Sequence, residues 1–236
     1  MQDDLEDIPV LQRESAATTF ESPKPHGKLT WLALVAGVAL IAGLGWLVIP
    51  RSATGKSSAV VVKQVTDSKQ PLLGHRRYAE APRSDLTMVS KYRNTGRGVW
   101  LRKQAATQYE RMRLAARAEG VGLIGISGFR DESYQEKLFT RQLGKQGTAS
   151  TATRVNAPPG YSEHHTGYAI DIGDASNSGS DAQLIFERTP AFRWLVRHAG
   201  RYGYEMSFPK QTSQSVSYEP WHWRFVGNRE ALETFY

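Results

Sequence analysis

The chain of 236 residues contains no cysteine. That absence removes a catalytic thiol, a Cys-ligated zinc ribbon, an iron–sulfur cluster and any disulfide framework. It leaves the compartment open, because a cysteine-free domain survives on either side of a membrane. There is no H-E-x-x-H run and no K-T-G triplet either, so the thermolysin pattern is missing and the serine D,D-peptidase pattern is incomplete. Methionine (4) and histidine (6) are sparse enough to weigh singly. A hydrophobic fraction of 40% argues against a disordered chain.

Charge is unevenly spread. The formal net charge is +7, yet residues 1–50 carry three basic and six acidic side chains, so the surplus of cations lies beyond residue 50. The divide falls at an uncharged run of 22 residues from Leu29 to Pro50, flanked near its ends by Trp31 and Trp46. At about 1.5 Å per residue such a helix spans the ~30 Å hydrocarbon core of a bilayer. A signal peptide has a shorter apolar region and ends in small residues, whereas this run ends Ile49-Pro50-Arg51. The expectation is one uncleaved transmembrane helix over 29–50, after a tail over 1–28 and before a small, polar linker over 51–72. Lys24 and Lys28 on one side balance Arg51 and Lys56 on the other, so flanking charge does not orient it.

A domain is expected over 73–236. Apolar residues at Leu101, Ala105, Tyr109, Met112 and Ala116 predict an amphipathic helix between Val99 and Gly120. VGLIGIS (121–127) reads as a buried strand, and a second helix runs from about Ser133 to Leu143 after a start at Asp131 or Glu132. The stretch 144–162 reads as irregular. YAIDI (168–172) alternates as a strand, Thr189-Pro190 opens a helix that Gly203 ends, and EPWHWRF (219–225) is strand-like. Without a regular βαβ rhythm, the expectation is an α+β fold with a small, mainly antiparallel sheet flanked by helices.

Of the histidines, His26 and His75 read as solvated bystanders and His198 as structural or at the surface. His164, His165 and His222 remain, with Asp171 seven residues after His164 and Glu219 three before His222. Two imidazoles and one carboxylate leave a fourth position on tetrahedral zinc for water, and a carboxylate outside the ligand set can take that water's proton. Spacing alone does not separate His164 from His165. It also leaves Glu219 and His222 on opposite faces of a regular strand, unless Pro220 bends the chain. Each histidine taken singly reads better as an ordinary hydrogen-bonded side chain.

Three blocks, SGFRDESYQ (127–135), PGYSEHHTGYAIDI (159–172) and YEPWHWRFVG (218–227), resemble in order and spacing those of the VanY-type zinc D-alanyl-D-alanine carboxypeptidases. The resemblance implies the small α+β fold of that family. It implies one zinc ion on His164, Asp171 and His222, Glu219 as general base, Arg130 on the developing oxyanion, and Gln135 and Ser162 on the terminal D-residue of the substrate. His165 stands where the family has Gln, Phe129 replaces a Tyr, and Asp131-Glu132 follow Arg130 where the family often has Ser. The implied substrate is a peptidoglycan stem peptide, cut at a D,D- or L,D-bond. The expected setting is then a single-pass protein of the bacterial plasma membrane with an extracytoplasmic domain, and nucleic acid is not an expected partner. Two other readings remain: a zinc-containing module that binds wall peptide without cutting it, and a serine peptidase using the S-x-x-K run at Ser207 and Lys210.

Overall fold

Leu101 and the Ala105–Ala116 stripe are buried as expected, but they belong to two elements of the computed structural model, which describes residues 72, 74–210 and 216–236. Gly98–Arg102 is strand β2, paired antiparallel with β1 (Leu86–Lys91), and the helix α1 starts only at Lys103 and ends at Ala118. The helical periodicity of Leu101 therefore overran the start of α1. Within α1, Ala105, Tyr109, Met112 and Ala116 form the buried stripe.

Beyond α1, β3 (Leu123–Ser127) leads into α2 (Glu132–Gln146), whose N-terminus is capped by Asp131 accepting from the Tyr134 amide. That carboxylate also pairs with Arg83 at 2.6 Å. The stretch 144–162 is less irregular than its composition suggested. It contains the end of α2 and a four-residue helix α3 (Ala149–Ala152), capped by Thr148. A 3-10 turn over Glu163–Thr166 precedes β4 (Ala169–Asp174), and Thr189 caps α4 (Pro190–His198) as the sequence signals. The chain closes with β5 (Tyr204–Met206), β6 (His222–Phe225) and α5 (Arg229–Phe235). Only the second half of EPWHWRF is strand.

Four strands form one antiparallel sheet in the order β3-β4-β6-β5, so β4 and β6 are its central pair. Every residue of β4 is buried, which fits a strand covered on both faces rather than one facing water. The core joins Ile170 and Ile172 of β4 to Tyr109 and Met112 of α1, Trp194 and Leu195 of α4, and Phe225 of β6. Burial of each large apolar side chain contributes roughly 1.5–3 kcal/mol. The architecture is the expected α+β one. The tail, the anchor and nearly all of the linker lie outside the described residues, and among the described residues no helix is long and apolar enough to cross a membrane.

His75 is a correction. It is buried, with Nε2 2.8 Å from the carbonyl of Thr153, and burial lowers its pKa. His198 is structural as read, stacked on Trp194 at 4.7 Å.

Gly167, between the 3-10 turn and β4, has φ +69°, and a Cβ there would meet Leu86 Cδ2 at 3.0 Å and Arg102 Cγ at 3.1 Å. Conformation and space both demand glycine. Gly167→Ala is therefore expected to destabilise the domain by more than about 1 kcal/mol, read as a lower denaturation midpoint in urea.

Candidate metal centre

The register of the central strand pair places Asp171 of β4 directly opposite His222 of β6. Cross-strand neighbours project to the same face, so carboxylate and imidazole meet there. His222 Nδ1 lies 3.2 Å from Asp171 Oδ1. His164 enters from the 3-10 turn that feeds β4, with Nε2 3.3 Å from the same oxygen. The two rings meet edge to face, 4.8 Å apart. His164, Asp171 and His222 are all buried, and their ligand atoms lie within 4.8 Å of one another.

Tautomers decide whether this cluster is a metal site or a hydrogen-bond knot. His164 Nδ1 lies 2.6 Å from the carbonyl of Gly128, which only an N–H can satisfy, so Nε2 carries the lone pair. Gly128 can bring its carbonyl so close because it has no side chain; a Cβ there would lie 2.3 Å from the Trp100 carbonyl oxygen. His222 Nε2 likewise faces Glu163 Oε2 at 2.9 Å and donates to it, leaving Nδ1 toward Asp171. His164 Nε2 and Asp171 Oδ1 are buried without a hydrogen-bond partner. Two lone-pair nitrogens and an orphaned carboxylate oxygen facing one point fit a borderline divalent cation such as zinc.

Electrostatics agree with that fit. Burial, helped by the Arg130 guanidinium, holds the His164 pKa down to about 4, so the ring is neutral at pH 7. Burial would raise the Asp171 pKa, but the two imidazoles hold its carboxyl far below the usual range. For His222 burial pulls the pKa down, yet the Asp171 and Glu163 carboxylates beside it outweigh burial and push the value up to about 10. A divalent cation held by the triad would displace a proton from His222 Nδ1 and supply the charge that the Asp171 carboxylate faces.

Glu219 reaches the site because the strand does not begin where the sequence suggested. The His222 amide donates to the Glu219 carbonyl at 3.1 Å, a turn through Pro220 and Trp221 that returns Glu219 to the side of His222. Its Oε2 lies 3.8 Å from His222 Nδ1, the nitrogen turned toward Asp171. Arg130, just past β3, lies 3.8 Å from Asp171 Oδ2, and its Nε is buried without a partner. Gln135 of α2 is buried; its Nε2 donates to the Ala157 carbonyl, while Oε1 has no partner. Ser162 caps the 3-10 turn, with Oγ 3.4 Å from the His164 amide. Arg130, Gln135, Ser162, His164, Asp171, Glu219 and His222 all line one cleft.

His165 does not join the triad. Its Nδ1 donates to the Arg130 carbonyl at 2.6 Å and its Nε2 accepts from the Gly160 amide at 3.0 Å. It ties the Arg130 backbone to the turn that carries His164. Nor does the S-x-x-K run form a pair. Ser207 Oγ donates to Glu163 Oε2 at 2.6 Å, and Lys210 Nζ pairs with Glu187 at 2.6 Å.

Glu163, to which the sequence assigned no role, stands behind His222. It is buried and accepts from His222, Ser207 and, at 2.8 Å, Arg224. Burial would raise its pKa, but His222, Arg224 and Ser207 lower it to about 2. An acid beside two histidines in SEHH, with an arginine two residues after His222, was the available signal.

An α+β domain with a buried His–Asp–His group at the centre of an antiparallel sheet, flanked by a carboxylate and an arginine, defines the class as a mononuclear metal-site domain. Residues 98–228 match the family model described as VanY, D-alanyl-D-alanine carboxypeptidase, and the chain belongs to that family. VanXYC of Enterococcus gallinarum, a bifunctional D-Ala-D-Ala dipeptidase and carboxypeptidase, is 36% identical over 136 residues, 55% of this chain and 68% of that protein. YodJ of Bacillus subtilis is 36% identical over 134 residues, 56% of this chain and 48% of that protein; the chain thus spans about half the length of that relative. Among solved structures, the LdcB LD-carboxypeptidase superposes with a TM-score of 0.58 at 32% identity, covering 68% of this chain and 78% of that one. A VanY D,D-pentapeptidase variant in complex with Zn(II) gives 0.51 at 26% identity, covering 69% and 90%.

Glu163 orients a ligand imidazole from behind, and losing such a partner typically costs about 10–100-fold in metal affinity. Glu163→Gln is expected to weaken zinc binding by about that factor in a chelator competition, whereas Ser207→Ala, which leaves the carboxylate and Arg224 in place, weakens it less.

Proposed function

We propose that the chain is a zinc-dependent carboxypeptidase that removes the terminal D-alanine from peptidoglycan stem peptides, at a D,D- or an L,D-bond. The observation that carries this is the convergence of His164 Nε2, Asp171 Oδ1 and His222 Nδ1, with Glu219 3.8 Å from the last. Family membership and the Zn(II)-bound VanY structure support zinc as the ion. Bound zinc supplies Lewis acidity that makes water a nucleophile at neutral pH.

The remaining roles belong to side chains. Glu219 takes the proton of the attacking water and returns it to the leaving amine, which departs as free D-alanine. Arg130, fixed in the cleft wall, sets positive charge against the oxyanion that grows on the scissile carbonyl; a preorganised group of this kind contributes about 3–4 kcal/mol to such barriers. Gln135 offers its unpartnered Oε1 to the terminal residue's amide, and Ser162 lines the wall beside it. Glu219 is also what separates a hydrolase from a module that only binds wall peptide, since binding needs no proton acceptor beside the ion. The serine reading loses support from the commitment of Lys210 to Glu187. We place the anchor at 29–50, with the tail over 1–28 cytoplasmic and the domain outside the plasma membrane. Support for this comes from the uncharged run and from a substrate that lies outside the cell.

Incubation of the zinc-loaded protein with tetra- and pentapeptide muropeptides is expected to release one alanine by mass, with release stopped by chelator and restored by zinc. In Glu219→Gln the rate falls about 10²–10⁴-fold with zinc still bound. No alanine release under zinc-replete conditions rejects the activity, and unchanged hydrolysis in Glu219→Gln rejects the base.

A further inference from the structure

Two of the four arginines that line the cleft have neither a carboxylate nor a carbonyl partner among the described residues. Arg76, Arg97, Arg130 and Arg141 all line it. Arg130 faces Asp171, and Arg76 donates to the carbonyl of Phe235. Arg97 rises from the β1–β2 hairpin to lay its guanidinium 3.8 Å from the centroid of the Tyr134 ring. Arg141 lies seven residues beyond Tyr134 on α2, two turns along the same helix face. Neither makes an ion pair among the described residues, whereas Arg83, Arg93, Arg102, Arg113 and Arg224 are each held by a carboxylate.

The acids of the cleft do not fill this gap, because Glu163, Asp171 and Glu219 all cluster at the metal group. Arg97, Arg130, Arg141 and Lys137 together act on the Tyr134 phenol, although burial outweighs them and raises its pKa. The wall around Tyr134 is thus a cationic field, and a guanidinium matches a carboxylate with two parallel hydrogen bonds. Position along the cleft tells which carboxylate. Gln135 and Arg141 are six residues apart on α2, about 9 Å along its axis. One residue reaches about 3.6 Å, so a terminal residue held at Gln135 does not extend to Arg141. Only a residue further up the peptide has the reach for it.

We propose that Arg97 and Arg141 form a subsite for a free carboxylate carried by a residue N-terminal to the scissile bond, making the preferred substrate an acidic peptide. The proposal rests on the carboxypeptidase reading for its direction along the cleft.

The test uses two synthetic peptides with the same terminal D-Ala-D-Ala and an acidic side chain just before it, free in one and amidated in the other. KM and kcat are measured on the zinc-loaded full chain, and Kd by calorimetry on zinc-loaded Glu219→Gln. The acid is expected to bind about five-fold or more tightly at low salt, with the advantage fading in salt and lost in Arg97→Gln/Arg141→Gln. Arg97→Lys/Arg141→Lys, which keeps the charge, retains part of the preference. Equal Kd for both peptides, or a preference that survives the Gln double variant, overturns the subsite. If neither peptide is cleaved the D,D-bond form of the proposed activity fails, while the Kd comparison still decides the subsite.

Discussion

Asp171 sits in a strand with no exposed residue, yet it carries a charge, and much of the structure around it follows from that conflict. A buried carboxylate is costly unless opposite charge or donors surround it. Here the compensation comes from three directions fixed by topology. His222 lies opposite across β6, His164 arrives from the turn before β4, and Arg130 from the end of β3. All four segments join the same sheet or its immediate connections, so the site inherits the rigidity of the core.

A second buried carboxylate works behind the first. Glu163 holds His222 from the far nitrogen and is itself held by Arg224 and Ser207. The chain Arg224–Glu163–His222–Asp171 runs through the interior, and each member orients the next. The same logic fixes His164 through the Gly128 carbonyl, and fixes the Arg130 backbone through His165. Presenting two lone pairs to one point thus depends on groups that never touch a ligand.

How much of this was legible in the sequence depends on the type of signal. Helices with a clear local signal were legible: α1 carries the Ala105–Ala116 stripe and α4 opens at Thr189-Pro190, because burial of one face and an N-cap set helix placement. Boundaries were not, since Leu101 satisfies a helix period and a strand equally well and the β1 pairing decides between them. The buried place of His75 depends on a contact 78 residues away, which no local pattern carries. Glu219 is more telling. Its spacing from His222 looked wrong for a strand, and the turn through Pro220 that corrects it exists because the Trp221 carbonyl accepts from Ile172 of β4. The choice between His164 and His165 lay in which ring nitrogen meets which carbonyl, information that only the folded backbone holds.

The site depends on three lone pairs meeting at one point, and anomalous diffraction at the zinc edge from crystals of the zinc-loaded protein tests this most directly. The predicted result is a single peak about 2.0–2.2 Å from His164 Nε2, an Asp171 oxygen and His222 Nδ1, with His222 Nε2 still on Glu163. A peak bonded to His165 or to His222 Nε2, or no peak at this cluster, would contradict it.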